Sequence, residues 1–264
     1  MEQQNRSSSD ILITGGTGLL GKAVCTLLLK RGIEYTVATH KKPVEKNMVY
    51  INLASMEEMD ASLLNRPVIL HLASDKKHPN NDVYGTKRLL QEIAKRNYNP
   101  HFIYISIVGT DQLPMTYFKQ KFQVEEEIKR SGVSYSILRA TQFHNYVDQI
   151  LQQVLKFRLA ILPKKVLVQP IDVSIVAERL VNMCFERPSN QIENIGGREV
   201  LPLEEMVNFW LSIKNKRKTV VNLPLWGRAG RSLKAGCLTC EKKTNGGRNW
   251  RQWVTDRNVI SRGR

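Results

Sequence analysis

The sequence predicts an α/β fold, a doubly wound parallel sheet with helices on both faces and a small carboxyl-terminal region attached. Three observations predict it. A short apolar strand, Ile11-Leu-Ile, runs through Thr14 into the glycine-rich turn Gly15-Gly16-Thr17-Gly18-Leu-Leu-Gly21 and then into a helix. Apolar strands alternate with helical stretches along the first two thirds of the chain. The crossovers between strands are long enough to return each strand parallel to the last.

The first βα unit is the most informative. Leu19, Leu20, Ala23, Val24, Leu27 and Leu28 recur at helical spacing, and Gly32 suits the helix end. Gly15 lets the chain turn off the strand, Gly18 lets the backbone approach a pyrophosphate, and Gly21 allows close packing of helix on sheet. The amino end of the helix then faces the anion. Gly15, Thr17, Gly18, Leu19, Leu20 and Gly21 are therefore the expected dinucleotide contacts. Gly16-x-x-x-x-Gly21-Lys22 is also most of a P-loop, but Ala23 stands where magnesium binding needs Ser or Thr, which sets a nucleoside triphosphatase aside.

Further strands are expected at Tyr35–Thr39, Val49–Asn52, Val68–Leu72, Phe102–Ser106, Ser134–Arg139 and Ile192–Ile195. A helix before the fifth strand carries Leu89, Leu90, Ile93 and Ala94 inward, and another runs from about Tyr117 to Ser131 and ends at Gly132. After the sixth strand come an amphipathic helix with Phe143, Val147, Ile150, Leu151, Val154 and Leu155, an extended piece at Val166–Gln169, and a helix at Val173–Glu186 capped by Asp172. Residues 1–140, with 170–197 returning to them, are expected to form the nucleotide-binding domain. Residues 141–169 and 198–264 are expected to form the smaller substrate region.

Bulk properties narrow the function classes. A chain of 264 residues can bury a sizeable core. Met1 to Ser9 are polar, and no apolar run reaches membrane-spanning length, so a soluble cytoplasmic protein is expected. Cys25 and Cys184 read as small buried hydrophobes. Cys237-Leu-Thr-Cys240 lacks the further ligands that zinc would need, so no metal site is expected. The net charge is +16, and Lys214 to Arg264 carries fourteen Lys and Arg against Glu241 and Asp256. Such a stretch attracts nucleic acid, anionic membrane or an acidic partner. Without a nucleic-acid recognition motif, a solvated basic face beside a polyanionic cofactor is the favoured reading.

The end of the second strand bears on which dinucleotide is bound. An acidic residue there favours NAD, because a carboxylate accepts from the ribose hydroxyls and repels a phosphate. Here Thr39 is followed by His40, Lys41 and Lys42, which suit the extra phosphate of NADP. NADP(H) is therefore preferred, with NAD(H) kept as the alternative, and Asn52 and Leu53 are expected to touch the adenine.

Several stretches together resemble the short-chain dehydrogenase/reductase superfamily, and within it the atypical NmrA-like branch of NAD(P)-binding Rossmann proteins. They are Thr14–Gly21, His71–Ser74, Val83–Thr86, Tyr104–Gly109, Tyr117–Lys121, Leu138–Phe143 and Gln169–Asp172, with Ala235-Gly236 and Asn249-Trp250 in the tail. The resemblance implies that Ala73 and Ser74 pass beside the nicotinamide-side ribose. It implies that Ser106 is the substrate-binding serine and that Tyr117 and Lys121 are the Tyr-x-x-x-Lys pair. Ala140, Thr141, Gln142 and Phe143 fall where the family backbone lies near the nicotinamide.

Residues four apart on a helix share a face, so Tyr117 and Lys121 can act on one site. A nearby ammonium favours phenolate and makes Tyr117 a better acid, while Ser106 can donate to an oxygen gaining charge. Phe118 and Phe122 also give this helix an apolar face on which a tyrosine can simply pack. His144, at the start of the first helix of the smaller region, is read as a surface histidine with pocket lining as the alternative. The resulting expectation is an NADP(H)-preferring oxidoreductase that transfers hydride to a small carbonyl or quinone. The alternative is a non-catalytic NAD(P) sensor that binds a protein partner.

Overall fold

The computed structural model describes residues 11–53, 61–75, 78, 80–96 and 98–262. The polar Met1–Ser9 segment and Asp10 lie outside the described residues. In chain order the elements begin β1 (Ile11–Thr14), α1 (Leu19–Lys30), β2 (Thr36–Thr39), β3 (Met48–Tyr50), β4 (Val68–His71) and α2 (Asn80–Ala94). They continue β5 (His101–Ile107), α3 (Thr116–Arg130), β6 (Tyr135–Ala140), α4 (His144–Val154), β7 (Leu159–Pro163) and β8 (Leu167–Val168). The rest are α5 (Val173–Met183), β9 (Ile192–Ile195), β10 (Leu201–Pro202), α6 (Leu203–Ile213), β11 (Thr219–Leu223), α7 (Gly227–Lys234) and α8 (Trp250–Arg262).

Seven strands form one parallel sheet in the order β3-β2-β1-β4-β5-β6-β9. Leu12 of β1 pairs with Thr36 on one side and Ile69 on the other, so the chain reverses its direction of growth across β1 and β4. A crevice opens at such a switch point, beyond the strand carboxyl ends. The inner strands β1, β4 and β5 are buried almost throughout, which is why they read as largely apolar runs rather than alternating ones.

The chain divides into two compact units. The first comprises Met1–Ser106, Lys119–Leu138 and Val176–Glu193, and the second Ile107–Phe118, Arg139–Ile175 and Asn194–Arg264. The core of the first is built on Leu12, Ile69, Phe102, Leu89, Val124 and Ile128. The core of the second is aromatic, with Trp210, Trp250 and Trp253 packed among Val147, Leu151 and Met206. Trp210 Nε1 donates to Asp148 Oδ1 at 2.7 Å, and Trp250 Nε1 donates to the Met206 carbonyl at 3.2 Å. Both indoles thus bury large apolar area without stranding a polar group.

Several expectations need correction. Of the residues that recur at helical spacing in α1, Leu20, Val24 and Leu28 are buried, and Leu19, at the first helical position, is exposed. Ala94, the last residue of α2, and Ile150, in the middle of α4, also face solvent. Cys184 is buried as expected, whereas Cys25 is only partly so; burial nonetheless pushes its thiol up to about 11. His144 is fully buried rather than on the surface. Two small sheets, β7 with β11 and β8 with β10, pair segments far apart in the chain, and only the extended character of β8 was anticipated. Asp172 does cap α5, its Oδ1 accepting from the Ser174 amide at 3.1 Å. Among the described residues no helix is long and apolar enough to cross a membrane.

Candidate functional site: a cleft at the ends of β1, β2 and β4

A cleft of about 670 Å³ opens at the carboxyl ends of β1, β2 and β4. Gly15, Thr17 and Gly18 form one wall, Thr39 and His40 follow β2, and Asn52, Leu53, Ala73 and Ser74 complete the sides. Nine residues expected from sequence to bind a dinucleotide are therefore brought together. His71, Asp82, Gly85 and Thr86 also line it.

The loop is held by close backbone contact. Gly15 has φ +72°, and a Cβ there would strike the Ala73 amide nitrogen at 2.5 Å. A Cβ on Gly21 would collide with the Gly15 carbonyl oxygen. Gly21 thus lies beneath the loop rather than on the cleft wall, and Leu20 is buried beside it. Lys41 is exposed, and its amide donates to Thr39 Oγ1 at 3.1 Å.

Under the cleft runs a relay that the sequence did not disclose. The Thr86 hydroxyl donates to the Asp82 carbonyl at 2.6 Å, so its oxygen accepts from His71 Nε2 at 2.9 Å. Nδ1 of His71 then carries the lone pair and accepts from Thr14 Oγ1 at 2.7 Å. Thr14 Oγ1 in turn accepts from the Ala73 amide at 3.3 Å. These partners fix the Nε2–H tautomer. Burial, with the Lys121 charge adding to it, pushes the His71 pKa down to about 3. A neutral imidazole therefore ties β1 to α2 immediately behind the glycine loop. The only sequence signal was a histidine closing an apolar strand, with Thr86 aligned to it by the fold.

Asp82 extends the network. Its carboxylate accepts from Ser74 Oγ at 2.7 Å and from the Asp75 amide at 2.6 Å, and Lys121 Nζ lies 3.9 Å away. Lys121 is nearly inaccessible, its ammonium 4.8 Å above the Tyr104 ring and 3.4 Å from the Ile105 carbonyl. Cation–π contact and charge pairing together make such burial tolerable. Ser106 is buried, and its hydroxyl donates to Glu125 of α3. Tyr117 is half-buried in the first turn of α3, one turn before Lys121.

In the second unit, the Thr141 amide donates to the Ile195 carbonyl, and Thr141 Oγ1 accepts from the Gly197 amide at 3.3 Å. Ala140 is buried in β6, and Phe143 precedes α4 in an isolated bridge to Ile171. Between them, Gln142 has Nε2 and Oε1 both buried with no hydrogen-bond partner among the described residues. An amide so placed carries a desolvation cost that a ligand can relieve.

Residues 11–110 match the NAD dependent epimerase/dehydratase family. No curated protein matches the sequence. Among solved structures, MoeE5 in complex with UDP-glucuronic acid and NAD shares 15% identity at TM-score 0.70, covering 97% of this chain and 99% of that one. UDP-N-acetylglucosamine 4-epimerase from Bacillus cereus shares 16% identity at TM-score 0.68, covering 96% and 99%. A new type of NADPH-dependent quinone oxidoreductase, QOR2, from Escherichia coli shares 13% identity at TM-score 0.71, covering 93% and 98%. The match to the family model is confined to residues 11–110, and along nearly its whole length the chain shares the Rossmann-like α/β fold of these solved structures.

Proposed function

We propose that the protein is an NADP(H)-preferring oxidoreductase acting on a small quinone or carbonyl. The observation that carries this reading is the cleft itself, with a glycine loop on its wall that is packed too closely at Gly15 and Gly21 for any side chain, beside a β2 end that bears His40 and no carboxylate. The cradle fits a pyrophosphate, and the cleft volume lies within the range of cofactor sites. Gly15, Thr17 and Gly18 would hold the pyrophosphate, with Leu19 and Leu20 starting the helix that faces it. His40 and Lys41 would take the second phosphate, and Asn52 and Leu53 the adenine.

A bound nicotinamide would supply or accept hydride. The chain's own residues position and protonate. Ala73, Ser74 and Lys121 would hold the nicotinamide-side ribose, and Ala140, Thr141 and Phe143 would supply the backbone beside the ring. Tyr117 is the proposed acid for a carbonyl substrate. The Ser106 hydroxyl already donates its hydrogen bond to Glu125, which weakens its case as an oxyanion donor and favours the quinone, whose reduction does not require a protein acid in the hydride step.

The test is turnover of NADPH against a panel of quinones and aldehydes, with wild type and Tyr117→Phe side by side. Quinone reduction is expected to survive in the variant and carbonyl reduction to fall about a hundredfold or more, the usual size of a lost general acid. Tight NADPH binding with no turnover on any substrate would replace this reading with a sensor that binds a protein partner.

A further inference from the structure

The second unit carries an uncovered apolar surface that the nucleotide cleft does not explain. β7 and β11 pair in parallel, with Leu159 opposite Thr219, Ile161 opposite Val221 and Pro163 opposite Leu223. Side chains alternate across a strand. Ala160 and Leu162 are therefore buried in the aromatic core, while the other face turns to solvent. On that outer face Leu159 is 55% exposed, Ile161 59% and Leu223 43%. Phe157, just before β7, is 70% exposed, and Trp226, just after β11, is 80% exposed. A soluble surface rarely groups aliphatic and aromatic side chains in this way without a partner.

The charges that flank the two strands in the chain have one sign. Arg158 precedes β7 and Lys164 and Lys165 follow it; Arg217 and Lys218 precede β11, and Arg228 follows Trp226. Neither the stretch 156–165 nor the stretch 214–234 contains an Asp or Glu. Each strand of the apolar face is thus bracketed at both ends by cations.

We propose that this face docks onto the surface of a bilayer containing anionic lipid. Leu159, Ile161, Val221 and Leu223 would meet the acyl boundary, and Phe157 and Trp226 would sit at headgroup depth, where aromatic side chains are favoured. The flanking Lys and Arg would reach lipid phosphates while laying their stems along the apolar surface. A second copy of the chain fits poorly, because a two-fold contact would set the same cations against each other. Nucleic acid fits poorly as well, since the centre of the face is aliphatic and offers bases neither stacking planes nor donors. The surface stands independently of the proposed nucleotide chemistry.

The experiment is co-flotation of the full chain with vesicles of phosphatidylcholine alone or of phosphatidylcholine with phosphatidylglycerol, with tryptophan emission read in parallel. Of the four tryptophans, Trp210, Trp250 and Trp253 are buried. A blue shift on vesicles, and quenching by spin-labelled acyl chains, therefore report Trp226. Binding is expected only to the anionic vesicles and is expected to weaken as salt rises. Trp226→Ser, which removes no core contact, is expected to lower partitioning about tenfold. The double change Arg158→Gln with Lys218→Gln is expected to lower it about tenfold as well. Both variants should leave NADPH binding unchanged, which separates this surface from the cleft. No flotation with anionic vesicles would overturn the proposal, as would equal affinity for phosphatidylcholine alone. A dimer dissociated by Trp226→Ser, without vesicle affinity, would overturn it in favour of a second copy.

Discussion

His71 of the first unit and His144 of the second are both buried, and the two are held in opposite ways. His71 has a partner on both ring nitrogens and serves as a rigid tie behind the glycine loop. His144 is held on one side only. Its Nε2 donates to the Arg248 carbonyl at 2.9 Å, while Nδ1 is buried with no hydrogen-bond partner among the described residues. Its ring stacks 5.9 Å from Trp250 and 5.7 Å from Trp253, so packing fixes it where hydrogen bonds do not. His71 is thus fixed by hydrogen bonds on both sides, and His144 chiefly by aromatic contact.

Acid should expose the difference most strongly. Burial pushes His71 down to about 3 and His144 down to about 4, against an ordinary value of 6.5. A group whose folded pKa is lowered contributes nothing adverse above 6.5, and stability is lost as pH falls from there toward the folded value. His71 should therefore remove roughly 5 kcal/mol between pH 6.5 and about 3, and His144 roughly 3 kcal/mol between pH 6.5 and about 4. Denaturant melts across this range should lose roughly 3 kcal/mol less in His144→Phe than in wild type, because the variant keeps the tryptophan stack and removes the titrating ring, while the larger His71 loss remains. Asp172 adds to the same trend. Burial raises its carboxyl, but the hydrogen bonds from Arg248 and Ser174 outweigh this and hold it below the usual range. Its contribution too is lost only as the solution becomes acid.

The next largest effect belongs to the loop. Gly21→Ala drives a methyl group into the Gly15 carbonyl. Such overpacking should cost about 3 kcal/mol by thermal melt and abolish dinucleotide binding by calorimetry. A milder change sharpens the cofactor question. His40→Asp places a carboxylate at the β2 end, and about a tenfold shift in relative affinity from NADPH toward NADH is expected in paired titrations.

The first unit was legible because its signals are local. The strand of Ile11 to Thr14, the turn at Gly15 and the stripe of α1 lie within a few residues of one another, and the cleft residues follow from strand ends. The relay through His71 was not legible, because Thr14 and Thr86 reach it from 57 and 15 residues away and no spacing rule joins them. His144 was misread for the same reason. A histidine at a helix start looks exposed until Arg248, 104 residues on, returns to cover it. β7 and β11 carry no local signal, because each is short and pairs with residues 60 positions away in the chain. Local chemistry was readable from sequence; burial conferred by distant segments was not.

Direct titration of the purified chain with NADPH and with NADH, followed by calorimetry, addresses the dinucleotide cleft most simply. Saturable binding of NADPH, tighter than that of NADH and lost in Gly21→Ala, is the expected result. Absence of binding by either nucleotide to the folded wild-type chain would contradict it.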